Sequence, residues 1–239
     1  MAQTQTEVIR CFKLRHEVFY EEMAGRLSKS RLDYDEYDAV CDHLVIVHRP
    51  TEKIVGTYRI NFSESSARFY TESEFDVSNW IDSQNENFIE LGRACIQKNH
   101  RRGLVISLLW RGIAEYMKLV QAETLIGCSS IKVSDTRSAA LIYKYFEVKG
   151  NLSNEIFNPH SKYRMNDFLF WMMVFSKGLS EQQIIEAEEK IPSLLKSYIK
   201  AGAKVCSYPA LDLEFKCLDF VTILKRSELD QKFVKKYNA

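Results

Sequence analysis

Apolar residues fall at helical spacing over positions 4–23, where Val8, Ile9, Phe12 and Phe19 share roughly one face. β-rich runs follow at 43–48 and 54–62, joined by the polar turn Arg49-Pro50-Thr51-Glu52-Lys53, and this pattern predicts a hairpin. Positions 63–83 hold a short segment at 69–75 and a helical turn around 77–81. The stretch 86–103 opens as a strand with Phe88, Ile89 and Leu91 in alternation. It breaks into a basic turn, Lys98-Asn99-His100-Arg101-Arg102-Gly103, and runs into an apolar helix over 104–119, with Trp110, Ile113 and Met117 at core spacing. A buried strand is expected at 124–129, then a helix over 137–146 capped by Asp135.

Beyond Gly150 the character changes. Positions 151–165 are polar and loop-like, while 168–175 reads either as a buried strand or as a hydrophobic surface, with core packing preferred. Ser180 with Gln183 forms a capping box for a helix through Lys190, and Pro192 opens a second helix to Lys200. A strand is expected at 220–224, and Ser227-Glu228-Leu229-Asp230 starts a final amphipathic helix. Strand, turn, helix, strand and helix over 88–146, appended to a hairpin-rich start, give an α/β class. The expected division is a core over 1–150 and an extension over 151–239.

The 239-residue chain has nine glycines and four prolines, which argues against long disordered linkers. A net charge of +1 gives no global bias toward nucleic acid, so electrostatic steering has to come from local patches. The six cysteines form no C-x-x-C pair, and the histidines no H-E-x-x-H. Reduced structural thiols and no metal site are therefore expected. Nor does any histidine have an aspartate five positions later, the pattern of glycerol-lipid O-acyltransferases. The polar start predicts no secretory leader, and the longest apolar run is far short of the roughly 20 residues of a spanning helix. The expectation is a cytoplasmic protein, soluble or peripherally associated with a membrane.

Glu90 and Arg93 interrupt an otherwise buried-strand composition. A carboxylate on a strand, followed by a cationic glycine turn at a helix start, suits moving a group off a phosphate-bearing carrier. The carboxylate handles a proton, and the turn holds an anion. Glu90 reads equally as a salt-bridge partner of Arg93 or Arg59. Arg59 itself interrupts a strand and needs a partner or an anionic ligand. The acidic loop Asp33-Tyr34-Asp35-Glu36-Tyr37-Asp38 is either solvated or paired inward with arginines such as Arg15 and Arg59. The basic turn has its own plain reading, a solvated run of charge.

Arg15-x-x-x-Phe19, Asp35-x-x-Asp38, Arg59 and Glu90-x-x-Arg93 together resemble the acyl-homoserine-lactone synthases, which have the GNAT (N-acetyltransferase) fold and draw acyl chains from acyl carrier protein. The chain departs from them where Gly25 falls in place of a tryptophan, and in its C-terminal third. Closer is the resemblance to the ornithine-lipid type, or hemolysin-like, N-acyltransferases. It is carried by RHEVFYEE, DYDEYDAVCDHLVIV, IVGTYRI, FYTESEFDVS, ELGRACI, LLWRGIAEY, LIGCSSI, IPSLLKSYIKAGAKV and PALDLEF, with LDFVTIL after it. Glycine-lipid synthases and N-acyl amino acid synthases resemble the same pattern.

This resemblance implies a GNAT fold, a mixed central sheet flanked by helices, and a C-terminal α+β extension that completes the sheet and the acyl and acceptor pocket. It implies transfer of a long-chain fatty acyl group, with or without a 3-hydroxyl, from acyl carrier protein to the α-amino group of ornithine, lysine or glycine. Catalytic roles fall on Glu90, Arg93 and Tyr143, the last as proton donor to the leaving thiolate or else a core aromatic. Arg15, Phe19, Asp35, Asp38, Arg59, Ala94 and Cys95 line the substrate site, with the amides of 93–95 polarising the thioester carbonyl. Lys98, Arg101, Arg102 and Gly103 receive the donor. The coenzyme A signature of the family, Q/R-x-x-G-x-G/A, is only partly kept in His100-Arg101-Arg102-Gly103-Leu104-Val105. The donor arm implied is the phosphopantetheine of acyl carrier protein, with coenzyme A the alternative and no permanently bound cofactor. Partners are the carrier and an amino acid, with peripheral membrane contact allowed. Rival readings are a coenzyme-A-dependent acetyltransferase, a signal synthase and a non-catalytic acyl- or carrier-binding protein.

Overall fold

The computed structural model describes residues 1–237. They form two compact units, the first from Met1–Phe69, Glu86–Leu125 and the chain after Asp230, the second from Tyr70–Asn85 and Ile126–Asp230. This division by packing is discontinuous in sequence and distinct from the 1–150 and 151–239 division by sequence character.

In the first unit helix α1 (Gln5–His16) starts at Thr4. The Thr4 hydroxyl accepts the Glu7 N–H, and the Glu7 carboxylate accepts the Thr4 N–H in return. The helix then widens into a π-helical segment, Glu17–Met23. Strands β1 (Asp42–His48), β2 (Lys53–Phe62) and β3 (Asn87–Ile96) pair antiparallel in that order. On one face Cys11 and Leu14 of α1 and Val18 of the π-helical segment pack with Ile54 and Cys95. On the other, helix α3 (Leu104–Leu119) lies close (the short helix α2, Ser78–Asp82, belongs to the second unit), and glycines make the closeness possible. A Cβ at Gly56 would stand 2.5 Å from a Val105 methyl, and one at Gly112 would stand 2.7 Å from a Leu44 methyl. The last helix of the chain (Gln231–Tyr237) sets Phe233 edge-on to Trp110, ring centroids 4.8 Å apart.

Strand β4 (Ala122–Ile131) begins in the first unit, beside β3 in strand order, and ends in the second. The second unit continues with helix α4 (Thr136–Val148), capped by Asp135, which accepts the Ser138 N–H at 2.8 Å. Ala139, Ala140, Leu141, Ile142 and Phe146 put α4 at the centre of this unit's core. Two helices, Glu181–Lys190 and Ser193–Ala201, follow the expected caps. Gly202 ends the second with φ +115°, and a Cβ there would lie 2.3 Å from the Glu228 carbonyl oxygen. Strands β6 (Lys204–Ser207) and β7 (Ala210–Asp212) both pair antiparallel with β8 (Cys217–Lys225), while β5 (Leu152–Phe157) pairs parallel with β6. Pairing is therefore mixed, as expected for this α/β class.

Two readings of the sequence are corrected here. The polar stretch 151–165 contains β5, which only Phe157 marks as a buried residue, so no alternation of buried apolar positions announces it. The apolar run 168–175 is neither a strand nor core throughout. It forms helix α5 (Phe168–Val174), with Phe168 and Phe175 buried but Leu169 75%, Phe170 55% and Met173 69% exposed. An unbroken apolar run carries no period, so helix and strand cannot be told apart from it. The hydrophobic-surface alternative is the one that holds. Among the described residues no helix is long and apolar enough to cross a membrane.

Candidate active site

The first unit gathers most of the residues singled out by the sequence, and the acidic loop joins them by turning inward. Arg15, fully buried on α1, donates from Nε to Asp33 at 2.7 Å and from both terminal nitrogens to Asp38 at 2.7 and 2.9 Å. Arg59 of β2 donates to Asp35 and stands 3.5 Å from Asp38. Arg93 of β3 donates to Asp35 at 2.9 Å, its Nε lying 3.6 Å from Asp33. The local fold of the loop supplies the geometry. Asp35 accepts the Tyr37 N–H, and Asp38 accepts the Asp35 N–H, which closes a short 3-10 turn and aims the carboxylates at the guanidiniums.

Such a cluster survives burial only because each charge has an opposite beside it. Burial alone would raise the carboxyl of Asp35, yet the hydrogen bond from Arg59 and the charges of Arg59, Arg93 and Arg15 hold it below the usual carboxylate range. Asp38 follows the same logic, with Arg15 as the main opposing partner. The aspartates of this loop are therefore committed to arginines.

Glu90 is 4% exposed and faces Asn61 across the β2–β3 pair. Arg59 pairs with Gly92, two residues along the same face. The missing side chain of Gly92 leaves room for Arg59, whose Nε and a terminal nitrogen would be 3.7 Å from a Cβ there. The thiol of Cys41 feels burial first, then Arg59 and Glu90 in opposite senses, and is pushed up to about 12. Glu90, Arg59 and Cys41 thus share one environment.

Between Thr57↔Cys95 and Arg59↔Gly92, two residues of β3, Arg93 and Ala94, oppose Tyr58 alone. This is a β-bulge, and Arg93 takes the left-handed conformation, φ +50°, that such an insertion demands. The bulge turns the Arg93 side chain toward the aspartates. Cys95 itself packs in the α1 core cluster, where burial raises its thiol, and Phe19 packs half-buried against the same cluster.

After β3 the basic turn splits into two roles. Arg101 donates to the Ile96 carbonyl at 2.8 Å and to both carboxylate oxygens of Glu22, which pins the turn to the π-helical segment. Lys98 and Arg102 remain exposed beside it. Gly103, φ +92°, is the residue before α3, and no side chain caps the helix start. The first amides of a 16-residue helix are left for an anion.

Tyr143 lies in the second unit, 5% exposed, stacked on Tyr208 at 5.2 Å and edge-on to Phe168 at 5.8 Å. Burial raises its phenol, which stays protonated.

Two residues of the first-unit cluster were missing from the candidate site. Asp33 stood in the acidic loop, but nothing in its spacing singled it out as a partner of Arg15. His43, 3% exposed, is the cross-strand partner of Arg59, and neither ring nitrogen has a hydrogen bond. Burial lowers its pKa, against the pull of Asp38 3.9 Å away, so the ring stays neutral at pH 7. The turn alone would not have found it: His48 pairs with Lys53, and only the bulge between Ile46 and Val47, where Val55 is the extra residue, shifts the register so that His43 stands opposite Arg59.

A model of the acetyltransferase (GNAT) domain matches residues 14–111, which span the arginine–aspartate cluster, Glu90 and the start of α3. The L-ornithine N(alpha)-acyltransferase of Agrobacterium fabrum is 27% identical over 255 residues, covering 100% of this chain and 84% of that protein. The enzyme of the same name from Rhodobacter capsulatus is 27% identical, covering 97% of this chain and 91% of its own. Among solved structures, the AHL synthase LasI superposes with a TM-score of 0.53 at 13% identity, covering 98% of this chain and 89% of that one. The CoA-dependent acyl-homoserine lactone synthase BjaI, solved with MTA, gives 0.52 at 12%, covering 98% and 81%. The fold expected from the sequence is the fold found. The chain is an N-acyltransferase with a GNAT domain and a homologue of the L-ornithine Nα-acyltransferases.

Proposed function

We propose that the protein moves a long-chain fatty acyl group from the phosphopantetheine thioester of acyl carrier protein to the α-amino group of an amino acid, with ornithine the first acceptor to test. The observation that carries this reading is the match along both units to enzymes named for acylating ornithine at that nitrogen. A free α-amine has a pKa near 7.7–8.0 and needs a base at neutral pH. We assign that role to Glu90, directly or through one water. The amine then attacks the thioester carbonyl. The C–S bond breaks as the C–N bond forms, and the thiolate leaves with a proton. Tyr143, held protonated, carries a proton of the kind the thiolate needs.

The bulge at Arg93 and Ala94 supports the carbonyl-binding assignment, because it interrupts the regular β2–β3 ladder at the strand segment expected to hold the thioester. The uncapped start of α3 suits the single phosphodiester of the donor arm. Lys98 and Arg102 suit an acidic carrier surface, while Arg101 braces the turn. The exposed apolar side of α5 fits the peripheral membrane contact expected of an enzyme whose product is amphiphilic. The test is mass spectrometry of lipid extracts from cells expressing the chain or its Glu90→Gln variant. New N-acyl amino acids should appear with the first and not with the second. Their absence from both would refute the reading.

A further inference from the structure

Asn61 of β2 has no part in the reaction described so far, yet it stands at the register position directly across from Glu90. Paired residues of an antiparallel ladder project their side chains on the same face, with Cβ atoms about 4.5–5.5 Å apart. Both are closed off from solvent, Asn61 at 1% exposure and Glu90 at 4%. The Asn61 amide is fixed at one end only. Its Nδ2 donates to the Arg68 carbonyl at 2.9 Å, which sets the orientation of the group and turns Oδ1 the other way. Oδ1 is buried and accepts no hydrogen bond.

A buried amide oxygen without a donor is costly, and native structures keep few of them. Glu90 does not relieve it, because a carboxylate only accepts. Arg59, two residues along β2 on the same face, donates to Asp35. Two acceptors side by side call for one group that brings at least two N–H bonds. We propose that Asn61 binds the acceptor amine, its Oδ1 taking one N–H of the nitrogen whose proton Glu90 removes. This role rests on Glu90 serving as the base in the transfer proposed above. The α-ammonium arrives with three N–H bonds. One proton passes to a Glu90 oxygen, and one of the two remaining N–H bonds points to Asn61 Oδ1. The lone pair so freed is left for the thioester carbonyl carbon. As the C–N bond forms the nitrogen gains positive charge, so its hydrogen bond to Asn61 strengthens toward the transition state. Asn61 itself exchanges no proton and forms no covalent bond.

Steady-state transfer by the full chain, with ornithine and acyl carrier protein thioester varied separately across pH 6–9, tests this in Asn61→Leu, Asn61→Asp and Glu90→Gln. Both Asn61 variants lose the bond to the Arg68 carbonyl, but only Asn61→Leu loses the acceptor oxygen. Asn61→Leu should lower kcat/KM for ornithine about 10- to 100-fold, the scale of a hydrogen bond to a charged group, with KM for the thioester unchanged. Asn61→Asp should keep the acceptor and set a like charge beside Glu90, moving the acid limb of the pH profile upward. That shift requires the two side chains to be neighbours, and it carries the test where Asn61→Leu fails to fold. Equal losses in both variants with the acid limb unmoved would leave Asn61 only holding the chain at Arg68 and overturn the proposal. A wild-type rate for Asn61→Leu would overturn it too. Glu90→Gln separates the two readings. Wild-type turnover in Glu90→Gln would remove the base, and the role of Asn61 with it. A slow Glu90→Gln beside an unimpaired Asn61→Leu would leave the base standing and refute Asn61 alone.

Discussion

Loss of the Arg15 guanidinium should be the most damaging single change in the cluster. Arg15→Met removes three hydrogen bonds to carboxylates while keeping an unbranched apolar stem of similar reach. Asp33 would then keep Arg93 at 3.6 Å, and Asp38 would keep Arg59 at 3.5 Å, His43 at 3.9 Å and the Asp35 amide. Removing one partner of a buried ion pair costs about 3–5 kcal/mol, because the remaining charge is left in low dielectric. For a chain of this size that corresponds to a melting temperature lower by about 6–20 °C.

The pH dependence adds a sign. In the wild type, the folded-state pKa values of Asp35 and Asp38 lie below the ordinary 3.8. Their stabilisation is complete above that value and is lost as pH falls through the lowered pKa. Without Arg15, burial should raise Asp38, so its penalty is relieved by protonation and the gap from wild type narrows between pH 7 and pH 4.5. Urea unfolding at both pH values, followed by far-UV circular dichroism and tryptophan fluorescence, measures this and checks that the transitions coincide. A variant melting within about 2 °C of wild type, or a gap that widens on acidification, would refute the reasoning.

Glu90→Gln should lower N-acylation by about 10²-fold or more with an unchanged melt; near-wild-type turnover across pH 6–9 would leave Glu90 a structural role only. Lys98→Glu with Arg102→Glu should raise the apparent KM for acyl carrier protein and leave a short acyl-pantetheine surrogate unaffected, with added salt acting weakly in the same direction on the wild type. Equal kinetics with the carrier in both proteins would remove those residues from docking. Gly202→Ala must place a Cβ 2.3 Å from the Glu228 carbonyl oxygen at a positive φ, so thermal unfolding should show a loss of at least about 1–3 kcal/mol, and an unchanged melt would mean the helix end relaxes freely.

Much of the fold was legible because its elements announce themselves. The capping boxes at Thr4 and Ser180, the cap at Asp135, the hairpin turn and the helix α3 all lie where local chemistry puts them. Helix α5 and strand β5 were not legible, since an unbroken apolar run has no period and a largely solvated strand has no alternation. In the site, the strand arginines demanded partners and the acidic loop offered them, but which aspartate meets which arginine depends on how the loop folds back. The bulge at Arg93 was invisible for a related reason: a non-glycine residue with positive φ leaves no mark in the sequence.

The central claim is transfer of an acyl group to an α-amine, and the direct measurement is a purified reaction of acyl carrier protein thioester with ornithine labelled with ¹⁵N at either nitrogen. Liberated thiol and product are followed together by mass spectrometry with fragmentation. The account predicts one thiol released for each amide formed, with the acyl group on the α-nitrogen and the side-chain nitrogen free. Thiol release without amide, acylation of the side-chain nitrogen, or no reaction with ornithine, lysine or glycine would contradict it.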